Sequence, residues 1–100
     1  MIVITQYQDG VTIKGHAGYA EHGKDIVCAA ISALTQTFIA SVEELTAAEI
    51  KYAISNGNVD IKYEGFTDRA RVLLDSFFIG CELIAREYPE NVQIAQAWKA

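Results

Sequence analysis

The stretch GHAGYAEHGKDIVCAAISAL, residues 15–34, decides how this chain is organised. It opens with His16 at the end of an apparent strand and continues through a loop that holds two of the seven glycines, Gly18 and Gly23. It then reaches Cys28, which is predicted to lie in the first turn of a helix. The free N–H groups and the dipole at a helix N-terminus favour the thiolate, the reactive form of cysteine. A nearby imidazole would complete a Cys/His pair, the minimal set for nucleophilic acyl transfer.

A β-hairpin is predicted upstream of this stretch. Its strands are 1–8 and 11–17, and Asp9-Gly10 forms the turn between them, because a type I′ turn needs positive φ at both central positions. In that register Ile4 faces Gly15, and His16 points away from the more apolar face of the hairpin. A bulge near Gly15 would turn the His16 side chain back, since a slip of one residue reverses the faces of a strand.

The first helix is predicted to begin after Asp25, a favoured N-cap whose carboxylate can accept hydrogen bonds from Val27 or Cys28. Apolar residues then recur with a helical period of about 3.6. They are Val27, Ala30, Ile31, Leu34, Phe38, Val42 and Leu45.

A second hairpin is predicted downstream, with strands 48–55 and 58–64 around Asn56-Gly57. A second amphipathic helix follows, with Thr67 as its N-cap and Pro89 ending it at or before Tyr88. Cys81 lies on the apolar face of this helix, which predicts a structural thiol.

The tail from Glu90 to Ala100 has two interpretations: a short edge strand through Val92 and Ile94, or a frayed helix carrying Trp98. We favour an irregular or strand-like segment. The order ββαββα predicts an α+β fold, a two-layer sandwich in which an antiparallel sheet of two hairpins is covered by two helices.

The totals limit the class of protein. One hundred residues form one small domain, and a hydrophobic content of 51% is high for a domain of this size. Small chains often bury excess apolar surface by pairing, so we expect a homodimer. A net charge of −5 with eight scattered basic residues does not fit nucleic-acid binding, which depends on phosphate neutralisation. A cationic partner or substrate fits this charge better.

We expect no signal peptide before the first strand and no apolar run long enough to span a bilayer. We therefore expect a cytoplasmic protein with its two cysteines, Cys28 and Cys81, reduced. A disulfide between them is the less favoured alternative. No cofactor is expected, and no metal site is expected either, because paired cysteines at zinc spacing are absent from the sequence.

Two histidines can serve as the general base for Cys28. We prefer His16 over His22, because a strand end holds a side chain in place better than the interior of a loop. Asp25 either caps the helix or orients an imidazole as the third member of a triad. Ser32, one turn after Cys28, can bond to Asp25, to a substrate or back to its own helix.

Gly18 and Gly23 serve as turn residues, and they also allow the loop to act as a lid that opens for a peptide and closes to expel water.

The pattern Gly15-His16-Ala17, followed by Gly23-x-Asp25-Ile26-Val27-Cys28-Ala29-Ala30-x-Ser32-x-Leu34, resembles the signature of the ribosomal-processing cysteine protease Prp family. The resemblance extends through the two hairpins to Tyr88-Pro89 and is weakest in the tail after Val92.

This resemblance implies a single cysteine protease domain over residues 1–100 that acts as a cytoplasmic homodimer. It implies that the protein removes a short N-terminal extension from a large-subunit ribosomal protein, the one numbered twenty-seven. The family's nucleophile falls on Cys28 and its base on His16, and Asp25 and Ser32 match as supporting residues. Phage-borne relatives process phage proteins instead.

The alternative function is a non-catalytic dimeric module that uses the acidic surface and the glycine-rich loop to hold a basic ribosomal or phage peptide. The thiol separates the two hypotheses, since a binding module has no need for a reactive cysteine.

Overall fold

The computed structural model describes residues 1–97 and contains five strands and two helices in that part of the chain. In chain order they are β1 (Ile2–Tyr7), β2 (Gly10–Lys14), α1 (Ile26–Leu45), β3 (Glu49–Ser55), β4 (Asn58–Glu64), α2 (Asp68–Glu87) and β5 (Val92–Gln96). The strands form one sheet in the order β3-β4-β2-β1-β5. The predicted α+β class with two hairpins and two helices is confirmed.

The fifth strand extends the predicted order to ββαββαβ. Residues Val92–Gln96 pair with β1 in parallel, so the sheet is mixed rather than wholly antiparallel. Val92 is buried, which gives this segment an apolar residue to place in the core. The favoured strand-like tail is thus confirmed over residues 92–96, whereas Trp98 lies outside the described residues.

The predicted register of the first hairpin is wrong. Tyr7 pairs with Gly10 and Ile4 with Ile13, so the loop is Gln8-Asp9. Gly10 lies in β2 and pairs with Lys62 on β4, and a glycine fits there because a side-chain carbon would overlap the backbone carbonyl of Ile61. The predicted grouping of side chains on the two faces of the hairpin is nevertheless correct. Both registers place even-numbered β1 residues opposite odd-numbered β2 residues.

The second hairpin forms as predicted. Ser55 pairs with Asn58 across the Asn56-Gly57 loop, and Gly57 has a φ of +71°. Lys51 faces Lys62 across the strands.

Both helices begin at the predicted caps. The Asp25 carboxylate accepts from the N–H groups of Val27 and Cys28, and the Thr67 hydroxyl accepts from Ala70. The core lies between the sheet and these helices. Its largest fully buried side chains are Ile4, Ile31, Ile61, Leu74, Val11, Val27, Val42 and Cys81.

Helix α1 corrects one expectation. By length and composition alone it is apolar enough to cross a membrane, with a mean hydropathy of 1.6 over 18 residues, although the core helix of a soluble protein passes the same test. Its residues Val27, Ile31 and Val42 are buried in the core. Only 33% of this 18-residue apolar stretch is buried, so much of the apolar surface of α1 faces outward.

Candidate active site

Three segments meet at one open cavity of about 660 Å³. They are the residues just after β2, the beginning of α1 and the β3–β4 loop. Residues from all three line the cavity: His16, His22, Gly23, Asp25, Cys28, Ala29, Ser32 and Asn56. The structure therefore brings together every predicted site residue except Gly18, which does not line this cavity.

An adjoining cavity of about 250 Å³ shares both histidines, Cys28 and Ser32 with the first. Its wall also includes the apolar residues Ile13, Ile31, Ile54 and Val59.

Cys28 is the third residue of α1 and is half-buried. Its sulfur accepts a hydrogen bond from the N–H of Ala17, with a nitrogen–sulfur distance of 3.3 Å. A backbone donor and the positive end of the helix dipole thus both act on Sγ, and both favour a negative charge there. Cys28 and Cys81 are free thiols, as expected.

Asp25 joins the beginning of α1 to the glycine-rich loop. Its Oδ1 accepts from the N–H groups of Val27 and Cys28, both at 3.0 Å. Its Oδ2 accepts from those of Tyr19 at 3.0 Å and Ala20 at 3.3 Å. The N–H of Cys28 makes the largest contribution, and together these bonds lower the pKa of the Asp25 carboxyl below its ordinary value of 3.8, against a smaller opposing effect of burial.

Of the two roles considered for Asp25, the structure shows the cap. Within residues 1–97 its carboxylate accepts hydrogen bonds from four backbone N–H groups, and no hydrogen bond joins it to His16. The cap also has a consequence for catalysis. An oxyanion at the beginning of a helix would need free N–H groups, but those of Val27 and Cys28 are already bonded to Asp25.

His16 lies just past the end of β2, where Gly15 adopts a φ of +95° and donates its N–H to the Gly57 carbonyl at 2.9 Å. The strand pairing ends at Lys14, and the positive φ of Gly15 changes the direction of the chain at the position where a bulge had been considered. The imidazole packs against Gly57, since a Cβ there would lie 2.8 Å from His16 Nε2.

His22 is exposed and lines the same cavity as His16. It follows Glu21, which forms an exposed ion pair with Lys24 at 3.1 Å.

Ser32 does not bond to Asp25. Its hydroxyl accepts from the side-chain amide of Gln36 at 2.9 Å, on the exposed side of α1. Ser32 still lines the cavity and can reach a bound ligand.

Cys81 is fully buried in α2. Burial is the main reason that the pKa of its thiol rises to about 12, and the nearby Glu82 adds to the shift. The structural role predicted for Cys81 is consistent with this environment.

Sequence reasoning missed three residues that shape the site. Gly57 was assigned only to a turn, Ala17 only to a strand end, and Asn91 to no role. The Asn91 side-chain amide donates to the Ala17 carbonyl at 2.9 Å, across 74 positions of the chain. No local signal identifies such a contact, whereas the Asn-Gly pair at least marked position 57 as a tight turn.

The described residues hold no group of three or more His, Cys, Asp or Glu side chains arranged to bind a metal ion. The reactive groups that line the cavity are a thiol and two imidazoles, and the Ala17 N–H is a backbone donor to the thiol.

Comparison with known proteins gives a consistent result. The family described as cysteine protease Prp matches residues 1–93. The ribosomal processing cysteine protease Prp of Mycoplasma genitalium is 34% identical over 96 residues, covering 94% of each chain. The protein of the same name from Staphylococcus aureus is 31% identical over 87 residues, covering 84% of this chain and 82% of that one.

A solved structure is similar over nearly the whole chain. It is the ribosomal processing protease Prp from S. aureus in complex with a covalently linked product peptide. The TM-score is 0.93 at 25% identity, and the match covers 97% of this chain and 100% of that one.

The two thiols should differ strongly in reactivity. We expect Cys28 to alkylate at least about tenfold faster than Cys81 near neutral pH, because Cys28 is accessible at a helix N-terminus and Cys81 is buried. Timed labelling with iodoacetamide, followed by peptide mass spectrometry, measures both rates in one sample. The Cys28→Ala variant is the control and should remain unlabelled under the same conditions. Equal rates, or faster labelling of Cys81, would contradict an activated Cys28.

Asp25 should also contribute to the pH dependence of stability. Its pKa is lowered in the folded state, so its contribution is present above its ordinary value of 3.8 and is lost as the pH falls through the folded value. The destabilisation caused by Asp25→Ala should therefore be largest near pH 7 and shrink toward pH 3. Urea unfolding at both pH values measures it. Asp75→Ala, at an exposed site on α2, is the control for the loss of a surface carboxylate. An equal effect of Asp25→Ala at both pH values would refute the assignment.

Proposed function

The chain belongs to the Prp family of cysteine proteases, and we propose that Cys28 is its nucleophile and His16 its general base. One observation carries this assignment. Cys28 lies at the N-terminus of α1 in the same cavity as His16, with a backbone N–H directed at its sulfur. An inert structural thiol would not need this access, and Cys81 shows the contrasting buried environment.

In the proposed mechanism His16 accepts the thiol proton, and Cys28 Sγ attacks the scissile carbonyl carbon. The tetrahedral intermediate collapses, the C–N bond breaks, and His16 returns the proton to the leaving amine. Water, deprotonated by His16, then attacks the thioester. The C–S bond breaks, which releases the new carboxyl terminus and restores the thiol.

Two features support His16 over His22 as the base. His16 lies two residues after the end of β2, and its exposed ring packs on Gly57 of the β3–β4 loop, so it has a contact with the end of the sheet. His22 lies within the loop, between residues that are exposed. A base must keep hydrogen-bonding distance to its partner through the reaction, and a rigid support favours this.

The proposed substrate is the N-terminal extension of a large-subunit ribosomal protein, processed in the cytoplasm. The names of the relatives from S. aureus and M. genitalium, both ribosomal processing proteases, support the ribosomal part of this proposal. The net charge of −5 supports a basic substrate, because opposite charges speed the encounter. A non-catalytic module that only holds such a peptide is the alternative, and the family membership does not favour it.

The catalytic pair should act as one unit. Cys28→Ala and His16→Ala should each lower turnover at least about 1,000-fold, and the double variant should be no worse than either single one. His22→Ala is the matched control and should retain activity within about threefold. Incubation with ribosomal proteins that carry N-terminal extensions, followed by intact-mass measurement, detects the cleavage. Full activity in His16→Ala together with loss in His22→Ala would move the base into the loop.

We propose that the protein functions as a homodimer. The outer surface of the helix layer carries an apolar groove of about 470 Å³ between α1 and α2. Small residues such as Ala30, Ala33 and Gly80 line it and would allow close approach of a second copy. Both helices also expose large apolar side chains, among them Ile26 and Leu83 at 57% and 56% exposure.

Sedimentation equilibrium at micromolar concentration should give twice the 11.0-kDa mass of the chain. Ala33→Glu places a charge in the groove and should shift the protein toward monomer. Ala40→Glu makes the same change on α1 outside the groove and should leave the mass unchanged. A monomeric wild-type protein across that range would refute the dimer, and a dimeric Ala33→Glu variant would exclude this groove as its interface.

A further inference from the structure

We propose that Asn91 is a positioning residue for the nucleophile and acts through the backbone of Ala17. The Asn91 side chain holds the Ala17 carbonyl, and the Ala17 N–H is directed at Cys28 Sγ. This inference rests on the proposed role of Cys28 as the nucleophile. It adds the Ala17 N–H, a backbone donor, to the groups that act on the sulfur.

The backbone of Asn91 is fixed at both of its polar groups. Its N–H donates to the Tyr88 carbonyl at 3.0 Å, and its carbonyl accepts from the Ile2 N–H at 2.9 Å. The first bond anchors Asn91 to the end of α2, and the second anchors it to the beginning of β1. The side-chain amide therefore extends from a rigid base, and its 2.9 Å bond to Ala17 fixes the loop relative to the sheet.

Burial and hydrogen bonds both restrict Ala17 and the loop that follows it. Its methyl group is buried, with 2% of the residue exposed. Its carbonyl accepts from Asn91, and Asp25 Oδ2 holds the next part of the loop at Tyr19 and Ala20. The direction of the Ala17 N–H is thereby set before any substrate binds.

The Ala17 N–H matters because two donors in the first turn of α1 are already engaged by Asp25. The N–H groups of Val27 and Cys28 bond to Asp25 Oδ1, so Ala17 is the one donor that the described residues direct at Sγ. A donor at this place favours the thiolate before attack. After attack, the same N–H lies next to the carbon that is bonded to Sγ and can donate to its developing oxyanion.

The test compares Asn91→Ala and Asn91→Asp with wild type. Asn91→Asp keeps the size of the side chain but removes the N–H donor and adds a negative charge near the sulfur. Both variants should lower kcat between about 10- and 100-fold with KM changed less than about threefold, since a misdirected donor affects the reaction more than binding. The pH profile of Cys28 alkylation should move to higher pH in both.

Two neighbouring substitutions separate positioning from general stability. Gln93→Ala, at an exposed position of β5, should leave kcat and the alkylation profile unchanged. Val92→Ala removes a buried side chain next to Asn91 and should lower the melting temperature, yet keep the alkylation profile. Labelling of Cys81 reports the fold of each variant, because a buried thiol stays unlabelled while the protein is folded.

Unchanged kcat and an unchanged alkylation profile in a folded Asn91→Ala would overturn the proposal. A shift of the alkylation profile in Val92→Ala as large as that in Asn91→Ala would also overturn it. The proposed function fails separately, if Cys28→Ala still cleaves the substrate. The alkylation profile needs no substrate and tests the role of Asn91 in either case.

Discussion

The geometry of the site depends on one carboxylate. Asp25 accepts four backbone hydrogen bonds, two from the beginning of α1 and two from the loop before it. A charged acceptor makes such bonds stronger than neutral ones. The loop therefore cannot move independently of the helix end that carries Cys28. The cap also occupies the N–H groups of Val27 and Cys28, the two helix amides that Asp25 Oδ1 accepts from.

The sheet supplies the second half of the site. His16 follows β2, and the β3–β4 loop places Gly57 beneath its ring. Any residue with a side chain at position 57 would meet the imidazole and would also be strained at a φ of +71°. A turn residue with no chemistry of its own thus determines where a proposed catalytic base can lie. The thiol is held by a helix and the imidazole by a sheet, and the core between the two layers fixes their relation.

Local signals predicted much of this arrangement. The Asp25 and Thr67 caps, the Asn56-Gly57 loop and the buried Cys81 each depend on residues close in sequence, and each was found where predicted. The first hairpin register was missed because Gly10, assigned to the turn, pairs with β4, a strand far along the chain. The parallel pairing of β5 and the contact from Asn91 to Ala17 were missed for the same reason. A local sequence pattern predicts a helix, a strand or a turn, but it does not predict which distant part of the chain packs beside that element.

The parallel pairing of β1 with β5 has a consequence for the order in which the molecule folds during synthesis. β1 is the second strand from the edge of the sheet, and its outer neighbour β5 is made from residues 92–96. Contacts so distant in sequence close late, because the entropy of the intervening loop must be overcome first. During synthesis, an emerging chain can form both hairpins and both helices while its sulfur still lacks the Ala17 donor in its final orientation. The order of translation would then place the bond from Asn91 to Ala17 after every other part of the proposed site, because His16, Cys28 and Gly57 are all made before Asn91.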